Sequence, residues 1–292
     1  MTENFRIKIV ALEEEIYPAL LKQIHKPPEK LYYRGSLQIF SRPCLAVVGT
    51  RKISAYGAQA TDKIIRPLAR CSLGIISGLA FGVDAQAHAL TLEENGLTAA
   101  VLGCGLDTIY PATHRRLAED IIKKGGCLIS EFPPGVPAFK TNFPRRNRLI
   151  AGLTLGTLVI EAAEKSGSLI TARHALHDNR EVLAVPGSIF AATSAGTNQL
   201  IKLGASVVGS AEDVMEILKL GQLSLSQPPT RSQTLSAEEA QILALLSHEP
   251  LHINEIAQAT QLDMRTINSR LTIMEMNGLV KNTGNMQYVR LS

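Results

Sequence analysis

From Cys44 onward the chain repeats one unit: a short unbroken apolar run, a turn carrying Gly, Ser or Pro, and then a stretch with helical spacing. The runs are CLAVV before Gly49, GII before Ser77, TAAVL before Gly103, CLI before Ser130, TLVI before Glu161 and EVLAV before Pro186. Between them the spacing predicts helices over Tyr56–Arg70, Val83–Glu94, Thr113–Lys124, Asn147–Leu155 and Ser168–His177. Strands that are apolar at every position are buried on both faces, as in a parallel sheet sandwiched by helices. The pattern therefore predicts an α/β, doubly wound, Rossmann-like domain over residues 43–219, with its functional residues on the turns at the carboxyl ends of the strands.

The flanks read differently. Phe5, Ile7 and Ile9 alternate, and Tyr17–Ile24 has helical spacing before the Pro27-Pro28 break, so residues 1–42 are expected to be a short lead-in. Residues 220–235 have Arg231 as their one charge and are rich in Ser, Gln and Pro, the composition of a linker. In residues 236–292, Ala240, Leu243 and Leu246, then Ile253, Ile256 and Ala257, then Ile267, Leu271 and Met274 mark three short amphipathic helices. A strand LVK, a turn Asn282–Asn285 and a strand QYVRL follow, in the order of a winged helix.

Composition narrows the class. With 45% hydrophobic and 19% charged residues over 292 positions, the chain can fill one large and one small globular core. Its first residues mix both charge signs and contain no signal-peptide core, and its longest uncharged run, Val182–Ile201, is too polar to span a membrane, so a cytoplasmic protein is expected. Cys44, Cys71, Cys104 and Cys127 form no C-x-x-C pair and read as small buried hydrophobes. The net charge of +4 is unevenly spread. From Ser236 on, four basic residues face six acidic ones, which leaves +6 on the first 235 and favours that part as the seat of any polyanion.

Nucleotide chemistry is poorly supplied. Gly103-Cys104-Gly105 offers G-x-G, but Thr108 stands where a third glycine would allow close helix packing, and no G-x-x-x-x-G-K-[ST] occurs. Asp84 and His88, at i and i+4, could be an acid/base pair, but they read better as a helix-terminus Asp and a hydrogen-bonded His. Glu131 and Glu161, each after a strand, are expected to orient nearby arginines. No catalytic residue, metal or cofactor is expected.

Anion binding is better supplied. Lys140, Arg145, Arg146 and Arg148 crowd around Phe143 and Asn147 with no acid among them, on what reads as a loop, a composition that grips phosphates and stacks a base. Gly49-Thr50-Arg51 offers backbone N–H groups and a guanidinium. Ser166-Gly167-Ser168, with Thr171 beyond, is a hydroxylated turn opening a helix, where the dipole favours an anion.

The ordered set VVGTR (47–51), SGLAFGVDAQAH (77–88), AVLGCGLDTIYP (100–111), SEFPPG (130–135), FPRRNRLIAGL (143–153), EAAEKSGSLITA (161–172), AVPGS (184–188) and GTNQLI (196–201) resembles the DprA/Smf family over about Leu31–Glu216. The resemblance implies an extended Rossmann domain that binds single-stranded DNA in a basic pocket, forms a homodimer, protects incoming DNA and loads RecA during natural transformation, with single-stranded DNA-binding protein as a further partner. It puts Arg51, Phe143, Arg145, Arg146 and Arg148 in the pocket, with Ser77 and Gly78, and Ser166, Gly167 and Ser168, on its turns. About forty residues precede the sheet, fewer than the N-terminal helical domain of many members, so contacts made by that domain are not expected here. The tail resembles the family's winged helix. Its third helix offers Arg265, Asn268 and Arg270 within a net charge of −2, which favours a protein-interaction role over duplex binding. Two other classes compete: a phosphoribohydrolase, whose P-G-G-x-G-T-x-x-E motif is met here only by Pro186-Gly187-Ser188, and a duplex-DNA transcription regulator.

Overall fold

The computed structural model describes residues 5–221, 236–247, 250–276, 279–284 and 286–290. The chain divides into two compact units, residues 1–228 and 229–292. In the first, the elements run β1 (Lys8–Ala11), α1 (Ala19–Lys22), β2 (Lys30–Gly35), β3 (Cys44–Val48), α2 (Ala55–Arg70), β4 (Gly74–Ser77), α3 (Val83–Glu93), β5 (Thr98–Val101), α4 (Arg115–Lys123) and β6 (Cys127–Ser130). They continue with α5 (Asn142–Gly152), β7 (Gly156–Val159), α6 (Ser168–His177), β8 (Glu181–Ala184), α7 (Ala195–Lys202), β9 (Ser206–Val207) and α8 (Ala211–Ile217).

Among the described residues these strands form one nine-stranded sheet in the order β1-β2-β6-β5-β4-β3-β7-β8-β9. The seven from β6 to β9 are parallel. Both faces of β3 are buried, with Cys44, Ala46 and Val48 packed in one cluster against α1, α5 and α6, and Leu45 and Val47 in another against α2, α3 and α8. That is the expected doubly wound architecture, and all four cysteines are buried in it. The lead-in adds to the sheet: β1 and β2 pair antiparallel and β2 pairs antiparallel with β6, so residues 8–35 extend the sheet at one edge.

The chain leaves β3 toward β4, β5 and β6, then returns to place β7 on β3's other side. This reversal opens a crevice beyond the carboxyl ends of β3 and β7, the place where ligands enter such sheets. The turns Gly49–Arg51 and 161–168 meet there.

Helix α5 corrects the expectation of a basic loop. It begins at Asn142 rather than Asn147, so the cationic segment lies on the helix. Pro144 falls in the first turn, where a missing N–H breaks no helical bond. Helical spacing then puts Asn142, Arg146, Leu149 and Ile150 on the buried face.

The second unit carries α9 (Ala237–Leu245), β10 (Leu251–His252), α10 (Ile253–Thr260), α11 (Met264–Met276), β11 (Val280–Gly284) and β12 (Gln287–Arg290). The core joins Ile242, Ile256, Ile267, Leu271 and Met274. Beyond the expected three helices and hairpin, β10 adds a third strand against β12, the usual completion of a winged helix. Most of the expected linker, residues 222–235, and Asn285 of the expected turn lie outside the described residues.

Candidate nucleic-acid interface

A cleft of about 670 Å³ occupies the crevice. It brings together Gly49, Thr50 and Arg51 from the turn after β3, Lys140, Phe143, Arg146 and Asn147 from α5 and its approach, and Ser166, Gly167, Ser168 and Thr171 from the start of α6. Phe143 is the centre of the arrangement. The guanidinium carbon of exposed Arg51 stands 5.4 Å from its ring centroid, that of Arg146 6.0 Å, and the Tyr110 ring 5.6 Å at a 34° tilt. Gly103 makes room for the ring, since a Cβ there would come within 3.0 Å of it.

The cations divide by role. Arg51 and Lys140 are exposed at the cleft, whereas Arg146 is 5% exposed and donates to the carbonyl oxygens of Gly78, at 2.8 Å, and Val101. Burial pushes its pKa down to about 10, with Asp84 opposing that shift and Arg51 adding to it. Arg146 thus ties α5 to the ends of β4 and β5 and lends the cleft positive potential from beneath. Asn147 donates to Gly167 O at 3.2 Å and joins α5 to the turn before α6. In that turn Ser166 Oγ accepts the Ser168 N–H at 3.3 Å and lies 2.7 Å from Ser168 Oγ, so part of its donor capacity is used internally.

Four expected site residues lie outside the cleft lining. Arg148 reaches away from it, to Glu131 and to Lys26 O at 2.9 Å, because its place on α5 points it toward the lead-in. Arg145 is exposed but lies over Phe132, at 5.3 Å. Ser77 is fully buried and donates to Val47 O at 2.6 Å, a bond that stitches β4 to β3. Gly78 is buried against Arg146: a Cβ there would lie 2.6 Å from its guanidinium. Lys165 and Tyr110, missed in the sequence, also line the cleft, as does the carboxylate Asp84. Lys165 directly precedes the Ser166 turn, a signal that was legible; Tyr110 becomes visible only when the loop after β5 folds over α5.

The acid/base alternative finds Asp84 and His88 apart in function. Asp84 accepts the N–H groups of Gly78 at 3.1 Å and Ala80 at 3.4 Å, and burial raises its pKa despite Arg146. His88 is fully buried, its Nδ1 2.6 Å from Thr98 Oγ1, and burial lowers its pKa to about 3, which keeps it neutral. Of the strand-end carboxylates, Glu131 holds Arg148 as expected, but Glu161 accepts the backbone N–H of Ser54 at 3.0 Å and pairs with no arginine among the described residues.

In the second unit, Arg270 of α11 pairs with Glu238 at 2.7 Å at the start of α9. Among the described residues no helix is long and apolar enough to cross a membrane, and no group of His, Cys, Asp and Glu could hold a metal.

Comparison with known proteins agrees with this architecture. The family model for DNA recombination-mediator protein A matches residues 8–219, and that for the DprA winged helix domain matches residues 226–284. Protein Smf of Escherichia coli is 39% identical over 93% of this chain and 74% of its own length, and the DNA processing protein DprA of Streptococcus pneumoniae is 44% identical over 69% and 71%. Among solved structures, S. pneumoniae DprA superposes with a TM-score of 0.69 at 41% identity over 72% of this chain and 74% of that one. The Helicobacter pylori protein, described for its single-stranded DNA binding mode, superposes with a TM-score of 0.67 at 29% identity over 75% and 98%. The order of strands, the turns gathered at the switch point and these matches place the chain in the DprA/Smf family of DNA recombination-mediator proteins.

Proposed function

We propose that the cleft binds single-stranded DNA and that the protein is a mediator, which protects incoming DNA and loads RecA onto it without chemistry of its own. The observation that carries this reading is Phe143 held between cations in a groove lined by Arg51, Lys140 and Lys165. Cations along the groove would take phosphates and the aromatic face would stack an unpaired base, a sequence-tolerant combination. Among the fifteen residues expected at the site, ten of the eleven in the cleft lining, all but Arg146, are the proposed contacts. Arg146 supports them from below.

A homodimer acting in the cytoplasm, with RecA and single-stranded DNA-binding protein as partners, completes the proposal. The Glu238–Arg270 pair favours protein interaction over duplex reading for the winged helix, because it partly neutralises a cation of the helix that would enter a groove. The test is RecA strand exchange on DNA precoated with single-stranded DNA-binding protein, alongside oligo-dT binding by anisotropy. Raised yield and salt-sensitive binding are expected. No binding, or nucleotide turnover abolished by Asp84→Asn, overturns the proposal in favour of an enzyme.

A further inference from the structure

A second cleft, of about 540 Å³, lies beyond the carboxyl ends of β7 and β8. Ser54 and Tyr56 at the start of α2 form one wall, and the turn 186–188 with Ser194 forms the other. The second wall is firmly held. Tyr56 Oη donates to Pro186 O at 2.5 Å, while Asn198 accepts the Gly187 N–H at 3.2 Å and donates to Gly187 O at 3.0 Å. Glu161 forms the floor and is 2% exposed. Its Oε2 takes the Ser54 N–H, but Oε1 accepts no hydrogen bond from the described residues and, unlike the orphaned Oε1 of Glu131, is not sealed from solvent.

The occupant follows from this chemistry. The lining holds one carboxylate and no cation, so it disfavours a phosphate or an acidic peptide and favours a neutral group bearing N–H donors. The cleft also adjoins the first one: Thr50, which lines that cleft, donates its N–H to Glu161 O at 2.8 Å. A strand with phosphates at Arg51 would therefore pass this opening. Phe190, 93% exposed, stands on the loop that continues from the turn and offers an aromatic face nearby.

We propose that this second cleft is a nucleobase subsite of the strand-binding track, in which Glu161 Oε1 accepts from an amino-bearing base. Guanine suits it best, because its N1–H and N2–H groups point the same way. Cytosine and adenine offer one amino group each. Thymine suits it worst, since its N3–H sits between two carbonyl oxygens that a carboxylate repels. The subsite rests on the single-strand reading of the first cleft and adds a base preference to a track that is otherwise sequence-tolerant.

The test measures anisotropy of the full chain with d(TG)10, d(TC)10 and dT20, for the wild type, Glu161→Gln and Ala191→Trp. The first variant keeps an acceptor for Ser54 but removes the charge. The second fills the cleft from the loop and leaves the Glu161–Ser54 bond in place. The wild type should prefer d(TG)10 to dT20 by about tenfold, with d(TC)10 between them, and both variants should bring that ratio near one. A ratio near one in the wild type, or the same ratio in all three proteins, overturns the subsite while dT20 binding upholds the single-strand reading. Failure of every oligonucleotide to bind the wild type overturns both.

Discussion

The Arg51 guanidinium lies over the Phe143 ring, 5.4 Å from its centroid, although Arg51 comes from the turn after β3 and Phe143 from the first turn of α5. The contact holds a cation and an aromatic face at one point of the crevice before any ligand arrives. Such preorganisation reduces the entropy lost on binding.

Arg51→Ala should weaken oligo-dT binding and flatten the slope of log K against log salt by about 0.7, the value for one lost phosphate contact on a single strand. Arg145→Ala serves as the contrast, because Arg145 lies over Phe132 outside the cleft lining. Its slope should stay within error of the wild type. Equal slopes for Arg51→Ala and the wild type would remove Arg51 from the site.

Arg146→Ala should act first on stability. The change leaves the Gly78 and Val101 carbonyls and the Asp84 carboxyl without their buried cation, a type of loss that costs about 3–5 kcal/mol. Gly78→Ala should destabilise in the same direction, since its Cβ would meet the guanidinium. Urea unfolding checks both, and a midpoint unchanged in Arg146→Ala would mean that the guanidinium is not structural.

His88 makes stability depend on pH. Its pKa is about 3 in the folded chain against 6.5 ordinarily, so between these values the unfolded chain binds a proton that the folded one refuses. The stabilising effect is full above pH 6.5 and declines as pH falls toward 3, by up to about 1.4 kcal/mol per unit. Asp84, raised by burial, has the opposite sign, its share being lost as pH rises through its folded pKa. The measurement is therefore the stability difference between the wild type and His88→Gln. That difference should shift toward the variant on acidification from pH 6.5 to 4; a constant difference would show His88 to be protonated in the fold.

Removal of residues 222–292 should leave oligo-dT affinity within about twofold, because every residue lining the first cleft lies between Val48 and Thr171. The comparison requires a truncated chain that is folded and has the same oligomeric state as the full chain. A tenfold loss under those conditions would move the binding surface to the second unit.

Much of this protein was written in local pattern. Unbroken apolar runs specify strands buried on two faces, and turns of Gly and Ser at their carboxyl ends mark where a ligand can approach; both properties need only neighbouring residues, so Gly49–Arg51 and Ser166–Ser168 were legible as anion-favouring turns. The order of the motifs identified the family as well. What tertiary structure decided was the fate of each cation in a segment whose composition is uniformly basic. Once Pro144 sits in the first turn of α5, the helical period and the sheet beneath select Arg146 for burial, turn Arg148 toward Glu131, leave Arg145 over Phe132, and present Phe143 to Arg51. Burial, partner and direction depend on elements distant in sequence, and charge alone carries no information about them.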